Sequence, residues 1–242
     1  FATGLRPAQD APQAKGFLAA LEARGGTNIH RALQETLAQG DPARPQVILL
    51  LTDGLPTEGE TEVNKILQDV AKAATENVRL FAFGVGDDVN TLLLDSLTQK
   101  HHGTTVYVRP GENLERAVSS FYEKISNPVL TGISLDFSGV QVEDLYPYPL
   151  PDLFAGGQLV VVGRYRQGGE ATLTLRGTKD GQPASYRYQA MRFNTDGGPD
   201  FISRLWATRK IGHLLTQIRL HGADRELVDE VIALSVRYGI VT

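Results

Sequence analysis

The stretch at residues 47–60, VILLLTDGLPTEGE, constrains the chain most. Residues 47–51 form an unbroken apolar run that includes Val47 and Ile48. A run of this length closed by a turn signal predicts a strand buried on both faces of a parallel sheet. The run ends in Thr52-Asp53-Gly54, which puts a carboxylate at the carboxyl end of that strand. In open α/β sheets that edge is where ligands bind. Upstream, Gly25-Gly26-Thr27-Asn28-Ile29 is a Gly-rich turn leading into a helix. Thr27 and Asp53 therefore read as two oxygen donors on neighbouring loops of one site. Each also has a plainer reading: Asp53-Gly54 as a turn, and Thr27 as a helix N-cap.

The surrounding pattern extends this picture. Phe17, Leu18 and Leu21 have helical spacing over residues 12–24, and Gly25-Gly26 closes that helix. Thr27 or Asn28 caps the next one, which carries Ile29, Ala32, Leu33 and Leu37. Asp41-Pro42-Ala43-Arg44-Pro45 is a stiff connection into the strand. A helix at 61–75, a strand at 78–85, a helix from Asn90, a strand at 104–108 and a helix at 112–126 follow. Alternation of this kind predicts a doubly wound, Rossmann-like parallel sheet over residues 1–127. From Pro128 the pattern changes to apolar alternation broken by short turns, which predicts an antiparallel β region at 128–198. Residues 199–242 read as a helical segment, with helices at 201–220 and 226–238.

Composition narrows the function classes. A net charge of −4 with no clustered Lys/Arg run argues against nucleic acid. Zero cysteines exclude disulfides and thiolate metal sites. No apolar run approaches the roughly 20 residues a membrane span requires. No serine-nucleophile elbow or phosphate-binding lysine loop is present, and Gly84-Val85-Gly86 lacks the third glycine of a dinucleotide fingerprint. No catalytic residue is therefore assigned. His101-His102 lacks a third ligand at a zinc-like spacing and reads as a pair at a helix end, favoured there by the dipole. Asp87 and Asp88 read as turn and cap residues, and His213 and His221 as helix-surface residues. The tyrosines at 146, 148, 165, 186 and 188 read as strand and loop packing.

Thr-Asp-Gly after an apolar strand, with Gly-Gly-Thr-Asn-Ile before the preceding helix, resembles a von Willebrand factor type A domain. Phe83-Gly84-Val85-Gly86-Asp87-Asp88, Val108-Arg109-Pro110-Gly111-Glu112, Ser126-Asn127-Pro128-Val129-Leu130 and Pro151-Asp152-Leu153-Phe154-Ala155-Gly156 narrow the resemblance. So do Arg204-Leu205-Trp206-Ala207 and Arg237-Tyr238-Gly239-Ile240-Val241-Thr242. Together they are similar to the bacterial relatives of inter-alpha-trypsin inhibitor heavy chains, in which a VIT domain precedes the A domain.

The resemblance implies a non-enzymatic adhesion module with a metal-ion-dependent adhesion site. In that family an Asp-x-Ser-x-Ser loop, a Thr and an Asp hold Mg²⁺ or Mn²⁺, and an Asp or Glu of a partner protein completes the shell. Thr27 and Asp53 match the family's Thr and Asp; the Asp-x-Ser-x-Ser loop does not occur in these residues. The expectation is therefore a type A domain without its first strand and helix, with Phe1-Ala2-Thr3-Gly4 as a strand remnant and with metal affinity that is weak or absent. The β region is expected to belong to a composite sandwich, leaving edges open to self-association. The family setting implies the cell envelope, cell surface or a secreted location. A reading from another class treats Asp53 as the nucleophile of a doubly wound phosphotransfer or phosphatase-like domain, which needs further acidic groups and a basic partner beside it.

Overall fold

The computed structural model describes residues 4, 6–22, 24–41, 44–125 and 128–242, with the side chain of Lys124 excepted. The strand remnant expected at the start falls on residues outside this set, apart from Gly4, as do Pro42 and Ala43 of the stiff connection. The chain divides into two compact units, Phe1–Glu112 and Asn113–Thr242. The helix expected at 112–126 falls to the second of them.

In the first unit a short 3-10 turn, Ala8–Asp10, leads into α1, Ala11–Ala19, and then α2, Ile29–Leu37. Helix α1 ends well before Gly25-Gly26, and it buries none of its residues. Its expected apolar face, Phe17, Leu18 and Leu21, is exposed. The sheet and its crossovers run β1, Gln46–Thr52; α3, Val63–Ala73; β2, Val78–Val85; α4, Thr91–Lys100; and β3, Thr105–Val108. The three strands are parallel in the order β1-β2-β3, with Thr52 beside Gly84 and Gly84 beside Tyr107. This is the expected α/β architecture of the doubly wound kind.

Strand β2 is the core of the unit. Val78, Leu80, Phe81, Ala82 and Phe83 are all buried, on both faces of the strand. Helices supply Leu33 of α2, Ile66 and Val70 of α3, and Leu93, Leu94 and Leu97 of α4. Their caps follow from sequence: Asn28 accepts from the Arg31 amide, Glu62 from Asn64 and Lys65, and Asn90 from Leu93. Burial on both faces was expected of residues 47–51, and β1 departs from it. Val47, Leu49 and Leu51 are 55%, 39% and 50% exposed, while Ile48 on the opposite face is buried. Among the described residues β1 is the edge of this sheet, paired with β2 alone, and no element covers the face that carries Val47, Leu49 and Leu51. The doubly buried role falls to β2.

Gly103, where α4 hands over to β3, allows a close approach. A Cβ there would lie 1.8 Å from the Leu80 carbonyl oxygen. That backbone contact, rather than turn geometry, demands glycine.

The second unit opens with α5, Leu114–Ile125, followed by strands β4, Pro128–Ser138; β5, Val142–Tyr146; β6, Leu153–Phe154; β7, Val162–Tyr165; β8, Gly169–Lys179; and β9, Gln182–Phe193. All of its strand pairs are antiparallel, in two sheets ordered β6-β4-β8-β9 and β5-β7. The tyrosine–proline loop after β5 contains cis bonds at Tyr146-Pro147 and Tyr148-Pro149. The unequal sheets leave an apolar cleft of about 610 Å³, lined among others by Leu135, Phe137, Leu145, Leu173, Leu175, Tyr188 and Phe193.

Helices α6, Asp200–His221, and α7, Arg225–Tyr238, close the unit. Trp206 and Ala207 of α6 pack with Tyr146 and Val162 of the small sheet, and Ile211 and Leu214 pack with Val231 of α7. The Trp206 indole N–H donates to the Asp144 carbonyl at 3.0 Å. Lys210 Nζ sits 2.9 Å from Asp144 Oδ2 and 2.7 Å from Glu230 Oε1, joining strand and both helices. No helix among the described residues is long and apolar enough to cross a membrane.

Candidate functional site

The Gly25–Asn28 turn is built by conformation and capping. Gly25 takes φ +76°, which a glycine adopts without a steric penalty. The Asn28 side chain caps α2, so Thr27 is released from the capping role. Thr27 is half-buried, and its hydroxyl has no hydrogen-bond partner among the described residues. What Thr27 commits is its backbone. Its amide donates to Thr57 Oγ1 at 2.8 Å, and its carbonyl accepts from the amides of Thr57 at 2.9 Å and Glu58 at 3.2 Å. The neighbouring Gly26 amide donates to Glu58 Oε1 at 3.1 Å.

Asp53 begins the loop that holds those partners. It leaves the carboxyl end of β1 just past Thr52, which is buried and braces the turn: Thr52 Oγ1 lies 3.4 Å from the Gly54 amide, which donates to it. Asp53 itself is exposed, and its carboxylate has neither a hydrogen bond nor an ion pair among the described residues. The turn carrying the Thr27 hydroxyl is thus bonded to the loop that starts at Asp53. Asp87 and Asp88 leave the same end of the neighbouring strand β2, both exposed. The basic partner that a phosphotransfer carboxylate needs is not seen beside Asp53 among the described residues.

The donor chemistry at Thr27 and Asp53 suits a small hard cation, which takes oxygen ligands in an octahedron and retains water where protein does not fill it. The two side chains account for two of its roughly six positions. Among the described residues there is no group of three His, Cys, Asp or Glu side chains placed to hold a metal.

The histidines keep the helix positions read from sequence, but their surroundings differ in part. His101 is the C-cap of α4 and is buried, with Nε2 lacking a partner among the described residues. Burial, aided by the charges of Lys100, His102 and Arg79, lowers its pKa to about 4. The dipole account requires an imidazolium, and burial keeps His101 neutral at pH 7, so the dipole does not explain it. His213, expected on the helix surface, is half-buried with its ring 5.5 Å from that of Tyr146, and burial lowers its pKa. His221 is exposed in the last turn of α6. His30, which carried no signal, lies 3.2 Å from Asp69 and links α2 to α3.

Residues 7–107 match the family model of the von Willebrand factor type A domain. Over 97% of its length the chain is 29% identical to human inter-alpha-trypsin inhibitor heavy chain H4, spanning 28% of that protein. Human heavy chain H2 is 26% identical over 95% of this chain and 26% of its own length. Human heavy chain H6 is 30% identical over 97% of this chain and 20% of its own length. The chain thus spans about a quarter of the length of these relatives, and the similarity runs through both units. Among solved structures, the von Willebrand factor type A protein from Catenulispora acidiphila shares the fold. It aligns with a TM-score of 0.59 and 15% identity over 96% of this chain and 65% of its own. Human COPII-coat protein Sec24c aligns with a TM-score of 0.56 and 14% identity over 94% of this chain and 38% of its own.

Proposed function

We propose that the chain belongs to a non-enzymatic interaction protein. In this reading Thr27 and Asp53 are two of the oxygen donors of a Mg²⁺ or Mn²⁺ site that is incomplete in these residues and holds the ion weakly here, and through which the protein engages an Asp or Glu of a partner protein. The observation that supports it is the joining of two loops at the end of β1. One presents a hydroxyl and the other a carboxylate, neither spent on an internal partner among the described residues. Similarity to type A domains, a family of protein-interaction modules, agrees with this reading.

A bound cation supplies the positive charge that lets an acidic partner group approach a rim already carrying Asp53, Glu58, Asp87 and Asp88. Thr27 contributes a neutral oxygen, Asp53 a charged one, and water or other donors complete the shell. No covalent bond changes. The cell-surface, envelope or secreted setting implied by the family resemblance goes with this role. Self-association in this reading uses open strand edges, of which β1 is one among the described residues.

The test is Mn²⁺ titration followed by NMR, since paramagnetic broadening detects weak sites. Mn²⁺ is expected to broaden the amides of residues 27 and 53–54 first, and Asp53→Ala to abolish that localisation. Broadening centred elsewhere, or unaltered in the variant, would refute the reading.

A further inference from the structure

The loop after β1 is fastened to the Gly26–Thr27 turn more thoroughly than its surroundings require. Thr57 bonds reciprocally: its hydroxyl accepts from the Thr27 amide while its own amide donates to the Thr27 carbonyl. Glu58 repeats the pattern one residue on, its carboxylate accepting from the Gly26 amide and its amide donating to the same Thr27 carbonyl. The approach is so close that a Cβ on Gly26 would stand 2.6 Å from Glu58 Cγ and 2.7 Å from Thr57 Oγ1. Gly59, at φ +68°, leaves room for Asn28; a Cβ there would meet Asn28 Nδ2 at 2.5 Å.

Core packing does not account for this. Thr57, Glu58 and Gly59 are exposed. What the four bonds do is geometric. They tie the Gly26–Thr27 backbone, from which the Thr27 hydroxyl projects, to the loop that begins at Asp53. An isolated two-donor site would have to order both loops when the ion arrives, and that ordering subtracts from affinity. Bonds already made on folding remove the cost, as supporting shells do for binding sites generally.

We propose that Thr57 and Glu58 are positioning residues that preassemble the Thr27/Asp53 pair by clamping the Gly26–Thr27 backbone, without themselves ligating the cation. The inference rests on the reading of Thr27 and Asp53 as cation ligands. Valine at 57 keeps the shape of threonine but cannot accept a hydrogen bond, whereas serine can. Glutamine at 58 keeps the acceptor oxygen and removes the charge, whereas alanine removes both.

NMR of the full chain provides two readouts, amide exchange at residues 26 and 27 and Mn²⁺ broadening. Thr57→Val is expected to speed Thr27 amide exchange about five-fold, the loss of one exposed hydrogen bond. It should also weaken Mn²⁺ broadening at both loops at a given Mn²⁺ concentration, because the loops must then be ordered when the ion binds. Thr57→Ser should restore both readouts. Glu58→Ala should release the Gly26 amide, and Glu58→Gln should not. Thr27 exchange and broadening unchanged in Thr57→Val, or not rescued by serine, would overturn the clamp. If Mn²⁺ broadens neither loop in the parent chain, the ligand reading fails, and the exchange data alone decide whether the clamp exists.

Discussion

Acidification is expected to loosen the first unit through His101. In the unfolded chain this imidazole takes up a proton near its ordinary pKa of 6.5, whereas in the fold it resists protonation down to about 4. Between those values the unfolded state binds more protons, so stability falls as pH falls. Linkage over that window gives a loss of about 2 kcal/mol at pH 5 and about 3 kcal/mol at pH 4. A loss of that size is a large share of the ~5–15 kcal/mol that typically separates folded from unfolded states. The assay must read the first unit, because the single tryptophan, Trp206, lies in the second. Amide exchange of residues 80–83 in β2 serves, since the Leu80 amide donates to the His101 carbonyl. His101→Asn removes the titrating group and keeps a residue that tolerates a helix C-cap. Most of the drop between pH 7 and pH 4 is expected to disappear in that variant. An equal drop in both proteins, or an NMR titration of His101 with a midpoint near 6.5, would refute the reasoning.

Three further outcomes follow from particular contacts. Gly103→Ala drives a methyl into the Leu80 carbonyl and is expected to cost at least about 3 kcal/mol by denaturant melts read on the first unit, with β2 and β3 shifted apart. Lys210→Met leaves Asp144 and Glu230 without their shared cation. It should lower the stability of the second unit by about 1–3 kcal/mol and shift Trp206 fluorescence to the red, whereas an unchanged spectrum and midpoint would show that the ion pairs are idle. The apolar cleft should bind ANS, and Leu175→Gln should reduce the dye signal; low dye uptake by the parent chain would show the cleft to be closed in solution.

Periodicity and capping chemistry made much of the first unit legible. The run at 78–85 is the buried strand, and Asn90 starts α4 as its side chain allows. Pro128 marks the change to antiparallel pairing. These features depend on neighbours in sequence, where propensity and patterning operate. The open face of β1 was not legible, because an apolar run looks the same whether or not another layer covers it. The lack of any buried face on α1 was hidden for a similar reason: helical spacing describes a stripe, not what meets it. His101 carries no local mark of burial, and the two-residue strand Leu153–Phe154 is too short to show a period.

The candidate site divides along the same line. From sequence alone, a carboxylate after an apolar strand and a threonine after paired glycines were assigned to neighbouring loops. Which of Thr27 and Asn28 caps α2 needed coordinates, since both residue types can cap. The clamp of Thr57 and Glu58 on Gly26 and Thr27 spans about thirty residues of chain and has no motif of its own. So does the meeting of Trp206 and Lys210 with Asp144, more than sixty residues away. Local residue chemistry determined which elements form and which oxygens are offered. Tertiary packing decided what each element faces, because burial and long-range hydrogen bonds depend on partners that sequence neighbours do not specify.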